Sequence, residues 1–331
     1  MAAQSVLVLG AGSWGTALAL VLSRNQHQVY LWDIDVKLIE KLKTERCNSK
    51  YIPSVSFPDN LFPIDSIDQA PADTRMLVNA VPCHGLRSSL QLLKSFSGLN
   101  ICLACKGFEP DTQKLNHEVV KEVLPDFPTA ILSGPSFAKE VAKDLPTAVT
   151  IAAEDINVAQ AFADLFHSEV FRIYTHNDYV GVQVGGAVKN VMAIAAGIAD
   201  GLGFGANTRA ALITRGLHEI MRLGLAMGAQ QETFMGLAGV GDLVLTCTDN
   251  QSRNRSLGLL LAEGLSVQEA SDKIGQAIEG LKTAIEVGEL AKKYHIEMPI
   301  TEQVINVIES KCSPRDAVHN LLVREPKAEM E

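Results

Sequence analysis

Ser5-Val-Leu-Val-Leu9-Gly10-Ala11-Gly12-Ser13-Trp14-Gly15, continued by the apolar run Thr16-Ala-Leu-Ala-Leu-Val-Leu-Ser23, is the stretch from which the rest of the chain can be read. A short strand-like run enters G-x-G-x-x-G, and a helical pattern leaves it. In that setting Gly10 permits the tight turn, Gly12 lets backbone approach a pyrophosphate, and Gly15 packs helix on strand while the helix N-terminus faces the anion. The prediction is a dinucleotide held on this loop; the plainer reading is a glycine-rich turn without a ligand.

A second strand-like run, Gln28 to Trp32, ends at Asp33, 18 residues after Gly15. A carboxylate there is placed to accept hydrogen bonds from adenosine ribose hydroxyls and to repel a 2′-phosphate, which would favour NAD over NADP. A plain surface aspartate at a strand end fits the pattern equally well. Further strand-like runs follow at Met76 to Val81, Asn100 to Cys105, Thr129 to Leu132 and Ala148 to Ala152, mostly separated by helix-length segments. This alternation predicts a doubly wound, mostly parallel α/β sheet of Rossmann type, with ligands beyond the carboxyl ends of its strands. Lys106-Gly107 and Gly134-Pro135-Ser136 fall at such ends. Lys106 leaves an apolar strand at a glycine turn, so its ammonium can reach over a cofactor toward a substrate oxygen. Ser136 offers a hydroxyl and is expected to start a helix whose free N–H groups could meet an anion or carbonyl.

After Tyr174 helical patterns dominate, with an amphipathic run from Thr208 to Leu223, a capping box at Ser266 and Glu269, helical spacing from Ala277 to Tyr294, and Pro314 as a first-turn residue. The expected division is a dinucleotide-binding domain over 1–179 and an all-α domain over 180–331 that carries substrate binding and catalysis. The second part opens with Val180 to Ala199, an apolar run of small residues interrupted by Lys189. Gln183, Lys189 and Asn190 near mid-depth speak against a bilayer span, so the run is read as a buried helix. Lys189 either snorkels to water or acts chemically. Gly185 and Gly186 on its face are expected to leave room for substrate and nicotinamide. Downstream lie the glycine-rich Gly236 to Asp242 and the cluster Ser252-Arg253-Asn254. Asp242, an acid in an apolar setting, needs a cationic or hydrogen-bonding partner, for which Lys189 is a candidate. The cluster suits a phosphate, though a polar surface loop is the simpler alternative.

The 331 residues carry a formal net charge of −9 and no basic arm, which argues against nucleic-acid binding. No secretory signal is visible in MAAQSVLVLG, and six cysteines suit reduced thiols better than a disulfide framework, so the expectation is a cytoplasmic protein without membrane insertion. Cys102 and Cys105 would point to opposite faces of a strand, and the histidines lack ligand spacing; no metal site is expected. Oligomeric state stays open, a homodimer being one arrangement.

Taken together, GAGSWGTA, CKG, SGPSFAKE, GGAVKN, GFGAN, GLAGVGDLVLTCTDNQSRN and EMPITE closely resemble the bacterial NAD(P)-dependent glycerol-3-phosphate dehydrogenase family over nearly the whole chain. The resemblance implies a Rossmann domain followed by a helical one, NAD(H) and/or NADP(H) as cofactor, and a small phosphorylated triose as substrate. The implied reaction is reversible reduction of dihydroxyacetone phosphate to sn-glycerol 3-phosphate for glycerophospholipid synthesis. By matching motif, it implies Lys189 as catalytic acid/base and Lys106, Gly134, Ser136, Lys189, Asp242, Ser252, Arg253 and Asn254 as substrate contacts. It implies Ser13, Trp14, Lys106, Ala138, Arg253 and Glu279 as cofactor contacts, beside Gly10, Gly12, Gly15 and Asp33 read from the loop itself. Many members carry a basic residue where this chain has Asp33-Ile34, which sets the usual NADP preference in question. The rival readings are a Rossmann dehydrogenase for a 3-hydroxyacid or sugar acid, and a non-catalytic nicotinamide sensor.

Overall fold

The computed structural model describes residues 3–325; residues 1–2 and 326–331, at the outer ends of the two expected domains, lie outside the described residues. Ten strands occur among the described residues: β1 (Ser5–Leu9), β2 (Gln28–Trp32), β3 (Cys47–Asn48), β4 (Ile52–Ser56), β5 (Leu61–Ile64), β6 (Met76–Asn79), β7 (Asn100–Leu103), β8 (Thr129–Ser133), β9 (Thr147–Ala153) and β10 (Phe171–His176). Eight of them form one sheet in the order β10-β9-β8-β7-β6-β1-β2-β5, and β3 with β4 makes a separate hairpin. β1 is central because both its faces are apolar, and Val6 to Leu9 are wholly buried. It pairs in parallel with β2 and β6, Leu7 standing opposite Tyr30 and Leu77. The chain builds one way from β1 to β2 and the other way from β6, so the switch point is the gap between β1 and β6. Only the pairing of β8 with β9 is antiparallel in this sheet, with Ile131 opposite Ala152.

The expected doubly wound sheet followed by helices is therefore present. β6 and β7 end two residues earlier than their apolar runs, because Val81-Pro82 turns into the Cys83–Gln91 helix and Cys105-Lys106 into the Gly107 loop. Four strands escaped the pattern, the hairpin pair β3 and β4 and, in the large sheet, β5 (LFPI) and β10 (FRIYTH), which are its two edges. An edge strand needs no apolar run on both faces and tolerates a proline such as Pro63, so the signal that reveals buried strands is missing there.

From Tyr179 the described chain is helical. The Tyr179–Gly201 helix has the length and composition of a membrane span, yet Gly181 to Ala199 are all buried inside the protein. Helices Arg253–Ala262, Ala206–Ala226, Asp242–Thr248 and Glu279–Lys293 pack around it. Asp178 caps its start, accepting from Gly181 N at 2.8 Å, and the same carboxylate accepts from Gln230 N and Thr233 Oγ1, which pins the Gln231–Phe234 turn to the helix. The glycines serve packing. A methyl group on Gly185 would overlap the Ala238 carbonyl, and one on Gly186 would overlap Ser133 Oγ. The expectation that they keep a face bare for ligand is corrected: they let the helix seat against the Leu237–Gly241 turn on one side and the end of β8 on the other. The capping box at Ser266 and Glu269 and the first-turn Pro314 form as expected.

Candidate active site

The switch point opens into a cleft whose floor is the glycine loop. Gly10 has φ +96°, and a Cβ there would stand 3.0 Å from the backbone of Ala80 and Val81; only glycine allows β1 and β6 to diverge so closely. A Cβ on Gly15 would overlap the Gly10 carbonyl, so this glycine locks the Ser13–Arg24 helix onto the turn. Around Gly12 there is open space. The helix that starts there has no side-chain cap and no acidic residue in its first turn, which leaves its N–H groups and positive dipole end free for an anion. Trp14 lines the cleft, and its indole Nε1 is buried without a hydrogen-bond partner. An orphaned donor beside an uncapped helix start fits a group rich in phosphate and hydroxyl acceptors.

The cleft holds a cavity of about 250 Å³ whose lining includes Ser13, Trp14, Lys106, Ser136, Ala138, Lys189, Ser252, Arg253, Asn254 and Glu279. These expected contacts come from six different segments and meet in one place. Gly10, Gly12, Gly15 and Gly134 shape the surroundings through their backbones. Gly134, at φ +137°, presents its carbonyl to Lys106 Nζ at 2.9 Å. Ser136 does not start a helix: the helix runs Ala138–Ala142 behind Phe137, and the Ser136 hydroxyl instead donates to the Gly134 carbonyl at 3.0 Å. Asp33 sits at the end of β2, where one carboxylate oxygen accepts from Ala11 N at 2.6 Å and the other from Asp35 N at 2.9 Å. It braces the glycine loop.

At the inner wall Lys189 is 7% exposed, held in the buried helix. Its ammonium is paired with Asp242 Oδ1 and donates to Thr246 Oγ1 at 3.0 Å. Lys106 Nζ pairs with the other oxygen, Asp242 Oδ2, at 2.7 Å. Asp242 is fully buried and bridges the two lysines, so the geometry gives it the task of orienting them. Burial opposes its ionisation, but the two ammonium groups prevail and hold its carboxyl below the usual range. For Lys189 burial is the largest influence, and with the charge of Lys106 it outweighs the pull of Asp242, lowering the amine to about 8. Burial also raises Glu279 above the usual carboxylate range, against the attraction of Arg253, Lys189 and Lys106.

On the outer wall Ser252 caps the Arg253–Ala262 helix, its hydroxyl accepting from Arg255 N. Asn254 donates to Asn190 Oδ1 at 2.9 Å and accepts from Gly280 N at 2.9 Å, tying three helices at the cavity edge. Arg253 is anchored by the Ala277 carbonyl at 2.8 Å. Sequence reasoning missed Thr246 and Asn190, both in the lining. The signals were available: Thr246 is four residues after Asp242 on a helix and Asn190 adjoins Lys189. Tyr51, on the turn between β3 and β4, had none. Among the described residues no group of three His, Cys, Asp or Glu side chains could hold a metal ion.

A dinucleotide cradle that faces a buried lysine able to lose its proton near neutrality provides what hydride transfer to a carbonyl requires, and the chain is on these grounds a nicotinamide-dependent dehydrogenase. Comparison with known proteins narrows the class. Residues 5–159 match the family model for the N-terminus of NAD-dependent glycerol-3-phosphate dehydrogenase, and residues 178–319 that for its C-terminus. Glycerol-3-phosphate dehydrogenase (NAD(P)+) of Bartonella henselae is 51% identical, covering 100% of this chain and 98% of its own length; that of Nitrosococcus oceani is 52% identical, covering 98% and 95%. The crystal structure of glycerol-3-phosphate dehydrogenase from Coxiella burnetii superposes with a TM-score of 0.94 at 44% identity, covering 97% of this chain and 99% of that one. The chain belongs to the NAD-dependent glycerol-3-phosphate dehydrogenase family. A D-mandelate dehydrogenase, at 12% identity and a TM-score of 0.61, shares the fold alone.

Proposed function

We infer that this protein catalyses the reversible NAD(P)-dependent reduction of dihydroxyacetone phosphate to sn-glycerol 3-phosphate, in keeping with relatives about half identical over nearly full length that are named glycerol-3-phosphate dehydrogenase (NAD(P)+). One observation carries the mechanism: a buried amine, lowered to about 8, at the wall of a cavity whose opposite end is a dinucleotide cradle. The cofactor supplies the hydride in reduction and accepts it in oxidation. Gly12 with the Ser13–Arg24 helix start would hold its pyrophosphate, and Trp14, Ala138, Arg253 and Glu279 would border it. The ammonium of Lys189 protonates the oxygen that becomes an alkoxide as the ketone is reduced; the neutral amine takes that proton back in oxidation. Asp242 orients Lys189, and Lys106 both lowers its proton affinity and faces the substrate oxygen. Arg253, with the Ser252 and Asn254 frame, binds the phosphate, so that remote binding energy orients the carbonyl.

The division at 179/180 into a cofactor part and a substrate part is supported by the end of the sheet at His176 and the start of the long helix at Tyr179. A cytoplasmic setting is supported by six cysteines that are all free. The deciding experiment compares oxidation of NADH and NADPH by the purified protein with dihydroxyacetone phosphate. Turnover is expected with this substrate, NADH being preferred because Asp33 stands where a 2′-phosphate would go. Absence of turnover with both cofactors would overturn the reading; an NADPH preference would overturn only the role of Asp33.

A further inference from the structure

The proton that Lys189 exchanges has to come from water and return to it, yet Lys189 is 7% exposed and lines the cavity that substrate and cofactor would fill. One face of the Glu279–Lys293 helix offers another way. Glu279, Thr283 and Glu286 stand at i, i+4 and i+7, forming a polar stripe in which Glu279 is half-buried while Thr283 is 2% and Glu286 6% exposed. Two buried polar side chains, Thr283 and Glu286, on an otherwise packed face are costly to keep without a task. Glu279 lines the first cavity beside Lys189 and Lys106. Glu279 and Lys106 also line a second cavity of about 320 Å³, together with Thr283, Glu286 and the exposed His84. Its floor is the Gly107 turn, where a Cβ would come within 3.5 Å of Thr283 Oγ1; the absence of a side chain there leaves the hydroxyl room.

We propose that Glu279, Thr283 and Glu286 pass the reaction's proton between Lys189 and the second cavity, which opens to solvent at His84. The proposal rests on the acid/base reading of Lys189. In alcohol oxidation the substrate O–H bond breaks, its proton goes to Lys189 Nζ, the C–H hydride goes to the nicotinamide, and the C=O bond forms. The Lys189 ammonium then gives a proton to the Glu279 carboxylate, and the Thr283 hydroxyl, both donor and acceptor, links this to Glu286 and the water-facing end. Each carboxylate returns to its ionised state, and reduction runs the same steps backward. The charges around the stripe suit proton exchange near neutrality. Glu279 faces Arg253, Lys189 and Lys106 from neighbouring elements and is raised by burial. Glu286 is pushed up to about 7 by burial, with Lys282 and the Phe108 backbone acting downward and Asp111 upward. His84 is lowered by burial and by Lys282.

Glu286 stands two helical turns from Glu279, so E286Q removes a relay group without touching a reacting atom. T283V breaks the hydroxyl link without changing charge and serves as the second variant. The test measures NADH oxidation by saturating dihydroxyacetone phosphate between about pH 6 and 9, in a bulky buffer and again with added imidazole. Both variants are expected to keep the parent KM for both substrates, to lose about fivefold or more in kcat with an altered pH profile, and to regain it when imidazole supplies protons directly. Variants with the parent's kcat and pH profile, or a loss that imidazole does not restore, overturn the relay. A parent without turnover overturns the assigned reaction and the relay with it, whereas an active parent beside unaffected variants overturns the relay alone.

Discussion

Lys189 was conspicuous from the start as a lone charge in an apolar run, but its partners were less legible. Asp242 could be named as a candidate from its own apolar setting, 53 residues away. That Lys106 takes the other oxygen of the same carboxylate, across 136 residues of chain, is visible only after folding. The consequence is chemical. Without Lys106 the Asp242 carboxylate would hold the Lys189 proton more firmly; with it, burial prevails and the amine falls to about 8. The sign of the pH dependence follows from which form each direction needs. Glycerol phosphate oxidation requires the neutral amine, so its kcat is expected to rise with pH through about 8. Reduction of dihydroxyacetone phosphate requires the ammonium and is expected to decline above the same pH. Profiles with no ionisation near this value in either direction would remove Lys189 from the mechanism. Lys189→Met, which keeps the length of the side chain without its proton, should lower kcat by about 10² to 10⁴ while NADH binding, followed by its fluorescence, is retained. A loss under about tenfold would be incompatible with the acid/base role.

The long buried helix shows how far an element can be read from its own residues. Its existence and burial were legible, since a run of twenty residues, seventeen small or apolar and three polar, suits a protein core better than a bilayer. The purpose of its glycines was not, because free space for a ligand and close approach of another backbone leave the same residue in the sequence. The Leu237–Gly241 turn against Gly185 is π-helical, and no apolar periodicity marks such a turn. Gly185→Val therefore tests the packing reading. Its side chain would meet the Ala238 carbonyl and should cost about 1 to 3 kcal/mol or more, seen as a lower melting temperature. An unchanged melting temperature combined with a raised KM for dihydroxyacetone phosphate would restore the view that this face belongs to the ligand. The edge strands β5 and β10 were missed for a related reason, since what makes them strands is a neighbour to pair with rather than an apolar run of their own.

In the assembled molecule the cavity has one wall from the sheet half and one from the helices: Ser13 and Trp14 face Arg253 and Glu279 across it. A cofactor bound there touches both halves, so NADH should raise the melting temperature of a single cooperative transition, by an amount that corresponds to about 2.7 kcal/mol at a hundred times its Kd. Calorimetry that resolved two transitions, only the first shifted by NADH, would show that the ligand binds the sheet half alone. The residues of the chain were enough to establish the glycine loop, the strand–helix alternation and the buried helix, and to single out the candidate reacting groups. These depend on backbone freedom, side-chain periodicity and intrinsic acidity, which belong to a residue and its near neighbours. The shared carboxylate between two lysines, the bracing of the glycine loop by Asp33, and the placing of Glu279 in the lining of two cavities were settled by folding. They join residues far apart in the chain, and the desolvation that tunes Lys189 and Glu279 does not exist until the surrounding helices exclude water.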